Sequence, residues 1–490
     1  MTAPGTRVPP REPAEEEAEP AQSRLERVRR TMAPEGRGEL GALLALLEDA
    51  SMPVRQAAAL ALGSRSEPGA RAALETVLRD PEAAVRAAAA ESLGALGQAE
   101  SRLPLEEALR DPVARVRQQA AWALWALADP GAVPALVDRL SDSEKEVRWS
   151  AAVALGKMRD PRAIPPLVEA LRDPNDRVRR EAVYALGRME DARILPALRP
   201  MLEDPAERVR IATAVMLGRW KDATAVPALV ARLRSDSQWV FPAVLVALGR
   251  IGDPHATAPV DAACDAPQGF IRVCALRALV DLAGAEARAR LRRAVEDPVW
   301  SVRGAAADGL GRVGEAEDLD RLIRLMDDGH PWPRRGAIYA VGLLGLTAAA
   351  PRVRDELAHP DAEVRLAAAW ALGRLQDGEA RPALILQLKQ GESLPRVPRA
   401  FAQGEGAVRL LSDAESRLFD TTLQALIRLY RAGPDPETRQ LLRGLRQRLG
   451  REELERPARL PPPEVGSGPP PTLGQLIEGG LAAPGATDPS

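Results

Sequence analysis

The chain has 490 residues with 67 basic and 69 acidic side chains, a formal net charge of −2, and 46% hydrophobic against 28% charged residues. That composition excludes a disordered chain, leaves room for several domains or one extended array, and argues against a protein that coats nucleic acid. Aromatics at 3% suit an Ala/Leu-rich helical protein, and two cysteines, Cys264 and Cys274, exclude a disulfide scaffold and a paired-CxxC zinc site.

Residues 1–37 read as a charged N-terminal tail. The opening MTAPGTRVPPREPAEEEAEP has no apolar core of a secretory signal, and no stretch approaches 18 apolar residues, so a cytoplasmic location without membrane contact is expected. The acidic block Glu12, Glu15, Glu16, Glu17 and Glu19 is expected to be disordered. The basic block Arg24, Arg27, Arg29 and Arg30 is expected to form a short helix leading into residues 38–404. Only four of the 67 basic residues are Lys, which with abundant Ala, Gly and Pro suggests a GC-rich bacterial genome.

Residues 38–404 repeat themselves every 31 positions. Stepping from Arg55 through Arg86, Arg117, Arg148, Arg179 and onward to Arg396 meets Arg at eleven of twelve steps, with Phe241 the exception. Eight residues later stands Gly in ten of twelve units, with Trp125 and Val280 the exceptions, and six residues earlier stands Asp in eight. Residues 160–190 show the logic of one unit. Asp160-Pro161 is a helix start, an N-cap acceptor followed by a Pro whose missing N–H costs nothing there. Ile164, Leu167, Val168 and Leu171 have helical spacing, Asp173-Pro174-Asn175-Asp176 is turn chemistry, and Val178, Ala182, Ala185, Leu186 and Met189 make a second helix face. Each unit is therefore a helical hairpin that must stack on its neighbours to bury both faces.

The recurring pattern D-P-x-x-x-V-R-x-A-A-A-x-A-L-G-x-L, as in Asp80-Pro81, Val85-Arg86 and Leu93-Gly94, resembles HEAT repeats of the short type named after phycobilisome bilin lyases. The resemblance implies an all-α superhelix, a solenoid of about twelve helical hairpins. It implies that Asp173/Arg179, Asp204/Arg210 and their equivalents are scaffold, forming a ladder of charge-assisted hydrogen bonds between the turns of adjacent repeats. It also implies that the second helices line the concave surface.

Variable positions on a fixed frame are where binding can reside. Residues one, five and nine after the repeat Arg lie on one face of the second helix. The nine-after set holds Lys157, Arg188, Arg219, Arg250, Arg312 and Arg374; the five-after set holds Trp122, Tyr184, Tyr339 and Trp370; Trp149 is one-after. A concave basic stripe with aromatic anchors is one reading, since Arg and aromatics dominate binding hot spots. The helix macrodipole explains a cation in the last turn equally well. Two units break the frame: Trp239, Phe241 and Pro242 in one, Pro331, Trp332 and Pro333 in another. Pro is tolerable in a first turn, so both are expected to fold.

No catalytic constellation is apparent. His255, His330 and His359 fall at turns without a His or Cys partner at ligand spacing, with His359 in the repeat Asp slot, so neither a metal nor a cofactor is expected. Cys264 and Cys274 read as small buried hydrophobes. There is no P-loop and no Gly-rich dinucleotide turn.

Residues 405–456 are expected to cap the array, and 457–490 to be a Pro/Gly-rich disordered tail. Within that tail TLGQLIEGGL, with Leu473, Leu476 and Ile477, has the spacing of one helical turn that docks on a partner or back on the array. The expected function is a non-catalytic protein–protein interaction scaffold or adaptor using the concave face, with a protein partner and no nucleic acid. A bilin-lyase-type enzyme or chromophore chaperone, and a nucleic-acid-binding HEAT-like protein, are the alternatives.

Overall fold

The computed structural model describes residues 21–32, 40–65, 67, 69–392, 406–448, 472 and 475–478. These are helical hairpins throughout, with no β-strand among them. Contacts divide the chain into two units, residues 1–220 and 221–490. The acidic block at 12–19 and the expected frame positions Arg396 and Gly404 lie outside the described residues.

In a representative repeat, Asp160 accepts from the Arg162 backbone N–H at 2.9 Å and starts a 3-10 turn, Pro161–Ala163, that runs into the first helix, Ile164–Ala170. The second helix, Asp176–Gly187, buries Val178, Ala182, Ala185 and Leu186 completely. Each such Leu or Val contributes about 2 kcal/mol of apolar burial. In the first unit the second helices Met52–Leu62, Ala83–Leu96, Ala114–Leu127, Lys145–Met158, Asp176–Gly187 and Glu207–Arg219 pack each on the next and form the inner row. The first helices pack mainly on the second helix of their own hairpin. The same order holds in the second unit, from Phe241–Ile251 to Ala362–Leu375.

The turns carry the ladder. Arg117 forks onto Asp142 of the next repeat, Nε to Oδ2 and Nη2 to Oδ1 both at 2.7 Å, while its Nη1 donates to the Asp111 carbonyl of its own turn at 2.8 Å. Arg179 does the same with Asp204 and with the Asp173 carbonyl. Each Asp also closes its own turn, as where Asp173 accepts from the Asn175 N–H at 2.8 Å. The ladder begins one step before Arg55, because Arg24 on the helix Ala21–Met32 pairs with Asp49 at 2.7 Å. Where His359 replaces Asp, its Nδ1 still accepts from the Asp361 N–H at 3.0 Å, and the Arg334 fork goes to Glu356 at 2.9 Å instead.

The repeat Gly marks the closest approach of adjacent second helices. A Cβ on Gly94 would stand 2.7 Å from Ala123 Cα, and one on Gly156 2.9 Å from Ala185 Cα. Val280, an exception in the Gly column, faces Gly309 where the frame otherwise has a larger residue, so bulk and gap have exchanged sides.

At the C-terminal end, Gly373 lies against Ala425, 2.7 Å from the built Cβ to its Cα. The helix Gly406–Ala432 therefore occupies the place of the next second helix, packing on Ala362–Leu375 and Arg381–Glu392. The 31-residue step that points to Gly404 is not the one that makes this contact. The one-turn helix 475–478 docks back on the chain, with Ile477 fully buried, Glu478 paired with Arg446 at 3.0 Å, and Thr472 and Gln475 capping each other.

Both irregular units fold as helices. Phe241–Ile251 and Pro331–Leu344 carry their prolines in the first turn. Their edges expose aromatics: Trp239 stacks on Phe270 at 6.2 Å, and Trp300 on His330 at 3.7 Å.

Candidate binding face

In the first unit the inner row gathers aromatics and cations across three consecutive repeats. Trp122 meets Trp125 and Trp149 edge to face, at 5.8 and 5.3 Å between ring centroids. Lys157 Nζ sits 4.0 Å over the Trp125 ring, and the Arg177 guanidinium 3.6 Å over Trp149. Both are cation–π geometries, which also keep the rings from collapsing into the core. Tyr184 is half-buried. Arg188 lies 3.6 Å from the Glu181 carboxylate, reaching back along its own helix by two turns. Burial holds the Glu181 carboxyl above the usual carboxylate range, although Arg188, Arg180 and Arg177 all face it and pull the other way. Arg188 also lines a cleft of about 420 Å³ with Arg159, Met189, Glu190, Asp191 and Arg193. Arg219 is exposed and has no ion pair among the described residues.

In the second unit the corresponding residues are mostly committed to the protein itself. Trp370, expected as an exposed anchor, is only 1% exposed. It packs edge to face on Tyr339 at 5.1 Å and against Gly342, where the absent Cβ makes room for the indole. Tyr339 is itself largely buried, which pushes its phenol up. Arg374 lies 5.3 Å over Trp370 and donates to the Gly342 carbonyl at 3.2 Å, a helix-end contact. Arg312 pairs with Asp281 at 2.7 Å. Arg250 is exposed. Asp308, at the five-after position of its repeat, is half-buried near Arg277 and Arg335, and desolvation raises its carboxyl above the usual range.

The nine-after cations are therefore not one free stripe. Four of the six, Lys157, Arg188, Arg312 and Arg374, have protein partners. Arg177, Arg180, Glu181 and Trp125 belong to the face and were missed. Arg180 is a one-after position, as Trp149 is, and Trp125 is an exception in the Gly column; Arg177 and Glu181 stand outside the three sets. Among the described residues no three or more His, Cys, Asp or Glu side chains are placed to hold a metal ion, and no helix is long and apolar enough to cross a membrane. Burial pushes the Cys264 thiol up to about 12, and raises Cys274 less.

The model of HEAT repeats matches overlapping segments from residues 40–125 to 325–404, about three quarters of the sequence. The chain belongs to the HEAT-repeat family. No curated protein matches its sequence. Among solved structures, importin β is similar with a TM-score of 0.64 at 14% identity, over 94% of this chain and 72% of that one. A Kap95:Nup1 complex gives a TM-score of 0.58 at 15% identity, over 89% and 68%. The CpcE–CpcF complex of phycocyanin lyase from a Nostoc species is 24% identical over 51% and 91%, with a TM-score of 0.26, too low to carry an argument about lyase activity. At these identities the importin-type likeness is one of fold: an all-α superhelical solenoid. Within the HEAT frame the ladder Arg and Asp, the Gly and the buried Leu are scaffold, and the inner-row residues of the first unit stand outside it.

Proposed function

We propose that this HEAT-repeat chain is a non-catalytic scaffold that holds a protein partner on the inner row of its first unit. The observation that carries the reading is the cluster of Trp122, Trp149, Tyr184, Arg177, Arg180 and Arg188, incompletely buried on three consecutive helices that the frame would fold without them. Aromatics and Arg are the residues that anchor interfaces, and a rigid row of helices presents them at low entropic cost. The Kap95:Nup1 complex is a solenoid of similar fold with a protein partner. A bacterial, cytoplasmic protein of the bilin-lyase repeat type, without lyase activity, is the finer form of this proposal.

Affinity capture from nuclease-treated native lysate tests it, with wild type beside Trp149→Ala/Tyr184→Ala. A protein retained by wild type and lost by the variant is expected. A partner retained equally by both removes this face from the proposal. Absorbance after incubation with bilin is expected to stay unchanged.

A further inference from the structure

One guanidinium on this face makes no hydrogen bond, although it faces the Glu181 carboxylate. Arg180 makes no hydrogen bond or ion pair among the described residues, and its Nε is buried. The frame does not require it: Arg179 is the ladder residue, and the equivalents of Arg180 in neighbouring repeats are Gln118, Trp149 and Ile211. Its Nε is closed to solvent, but the residue as a whole is only half-buried, so a partner's acceptor has access to the side chain. Around it stand Arg177 on the Trp149 face and Arg188, whose side chain is 39% exposed and pairs with Glu181; in the cleft that Arg188 borders, Arg159 and Arg193 are already paired with Glu190 and Asp191. Glu181 faces Arg177, Arg180 and Arg188 and pairs with Arg188 alone, so these four residues together carry a positive surplus.

We propose that the partner presents an acidic peptide segment to this face, with Arg180 and Arg188 donating to its Asp or Glu carboxylates and Trp122 and Trp149 packing on an adjoining apolar side chain. This rests on the scaffold reading and names the chemistry of its partner. Guanidinium groups fork onto carboxylates with charge-assisted hydrogen bonds, and the aromatic neighbours supply apolar area beside them. A polyphosphate fits less well. Glu146 and Glu181 interrupt the cations, and the positive stretch covers the repeats of Arg148 and Arg179, on the order of 20 Å at the usual interhelix spacing.

The test is fluorescence anisotropy on the full chain with three labelled probes: a decapeptide of Glu with one central Phe, the same peptide with Gln for Glu, and a ten-nucleotide oligothymidylate. The Glu peptide is expected to bind wild type, and the Gln peptide at least about tenfold more weakly. Arg180→Gln/Arg188→Gln is expected to weaken the Glu peptide at least about tenfold. Arg172→Gln, a 77% exposed cation away from the face, is expected to change it less than about twofold. If the double variant melts early, Arg180→Gln alone is read, since that side chain has no native hydrogen bond or ion pair to lose. No binding of the Glu peptide, or equal loss with Arg172→Gln, overturns the proposal. So does tighter binding of the oligothymidylate that the same variant abolishes. A lysate partner lost by Trp149→Ala/Tyr184→Ala, without any binding of the Glu peptide, overturns the acidic chemistry and keeps the scaffold.

Discussion

At Arg117 one side chain holds two backbone carbonyls and a carboxylate. It is 9% exposed, forks onto Asp142, and donates to the carbonyls of Asp111 and Pro112. Removing one partner of such a pair leaves the other charge buried and unanswered. Arg117→Ala is expected to lower unfolding free energy by about 3 kcal/mol in urea titration. Arg117→Lys is expected to recover little of this, because an ammonium cannot reproduce the planar fork. Fixed spacing made the Arg and Asp columns legible in the sequence, and the resemblance to HEAT repeats implied that they form a ladder. Spacing could not show that Arg188 turns back to Glu181 or that Arg180 makes no hydrogen bond, because those outcomes depend on rotamers and on the adjacent repeat.

Between elements the decisive quantity is the distance of closest approach. Second helices meet backbone to backbone at Gly94 and Ala123, so a methyl group at Gly94 has a Cα, not a movable chain end, in its way. Gly94→Ala is expected to destabilise by about 1–3 kcal/mol, read from thermal or urea unfolding. Gly187→Ala is expected to cost less, because the obstructing atoms there belong to the flexible Met216 side chain. The exchange at Val280 and Gly309 follows from the same contact: a larger residue is accepted in the Gly column where its opposite number is reduced. The end of the array obeys packing in place of the 31-residue count. Ala425 makes the Gly373 contact, because any apolar helix with a small residue at that height can close the row.

Across the whole molecule the ladder makes stability depend on pH. Asp80, Asp111, Asp142 and Asp328 each feel burial, which alone would raise them, but the Arg fork, a backbone N–H and nearby charge hold them below the usual carboxylate range. Carboxyls depressed in the folded state contribute stability that is fully present above about pH 4 and is lost as the pH falls through their folded values. The urea midpoint is expected to fall between pH 5 and pH 2 by more than in an Asp142→Asn variant measured against its own neutral-pH value. Stacked repeats share stability with their neighbours, so local loss of a ladder rung is expected to spread to adjoining hairpins.

The sequence by itself determined the all-α repeat architecture. Each hairpin has the same local problem: cap a helix, turn, bury one apolar face. The same residues solve it at the same spacing. The fixed Arg and Asp columns are in the sequence too, and the resemblance to HEAT repeats is what gave them a ladder role. Only the tertiary structure decided which inner-row residues remain available. Trp370 and Tyr184 occupy the same position of the frame, yet one is buried beside Tyr339 and Gly342 and the other is half-exposed. The difference lies in what the neighbouring repeats place beside them: exposure of a large side chain is a property of the gap around it, and the gap is set by residues one repeat away.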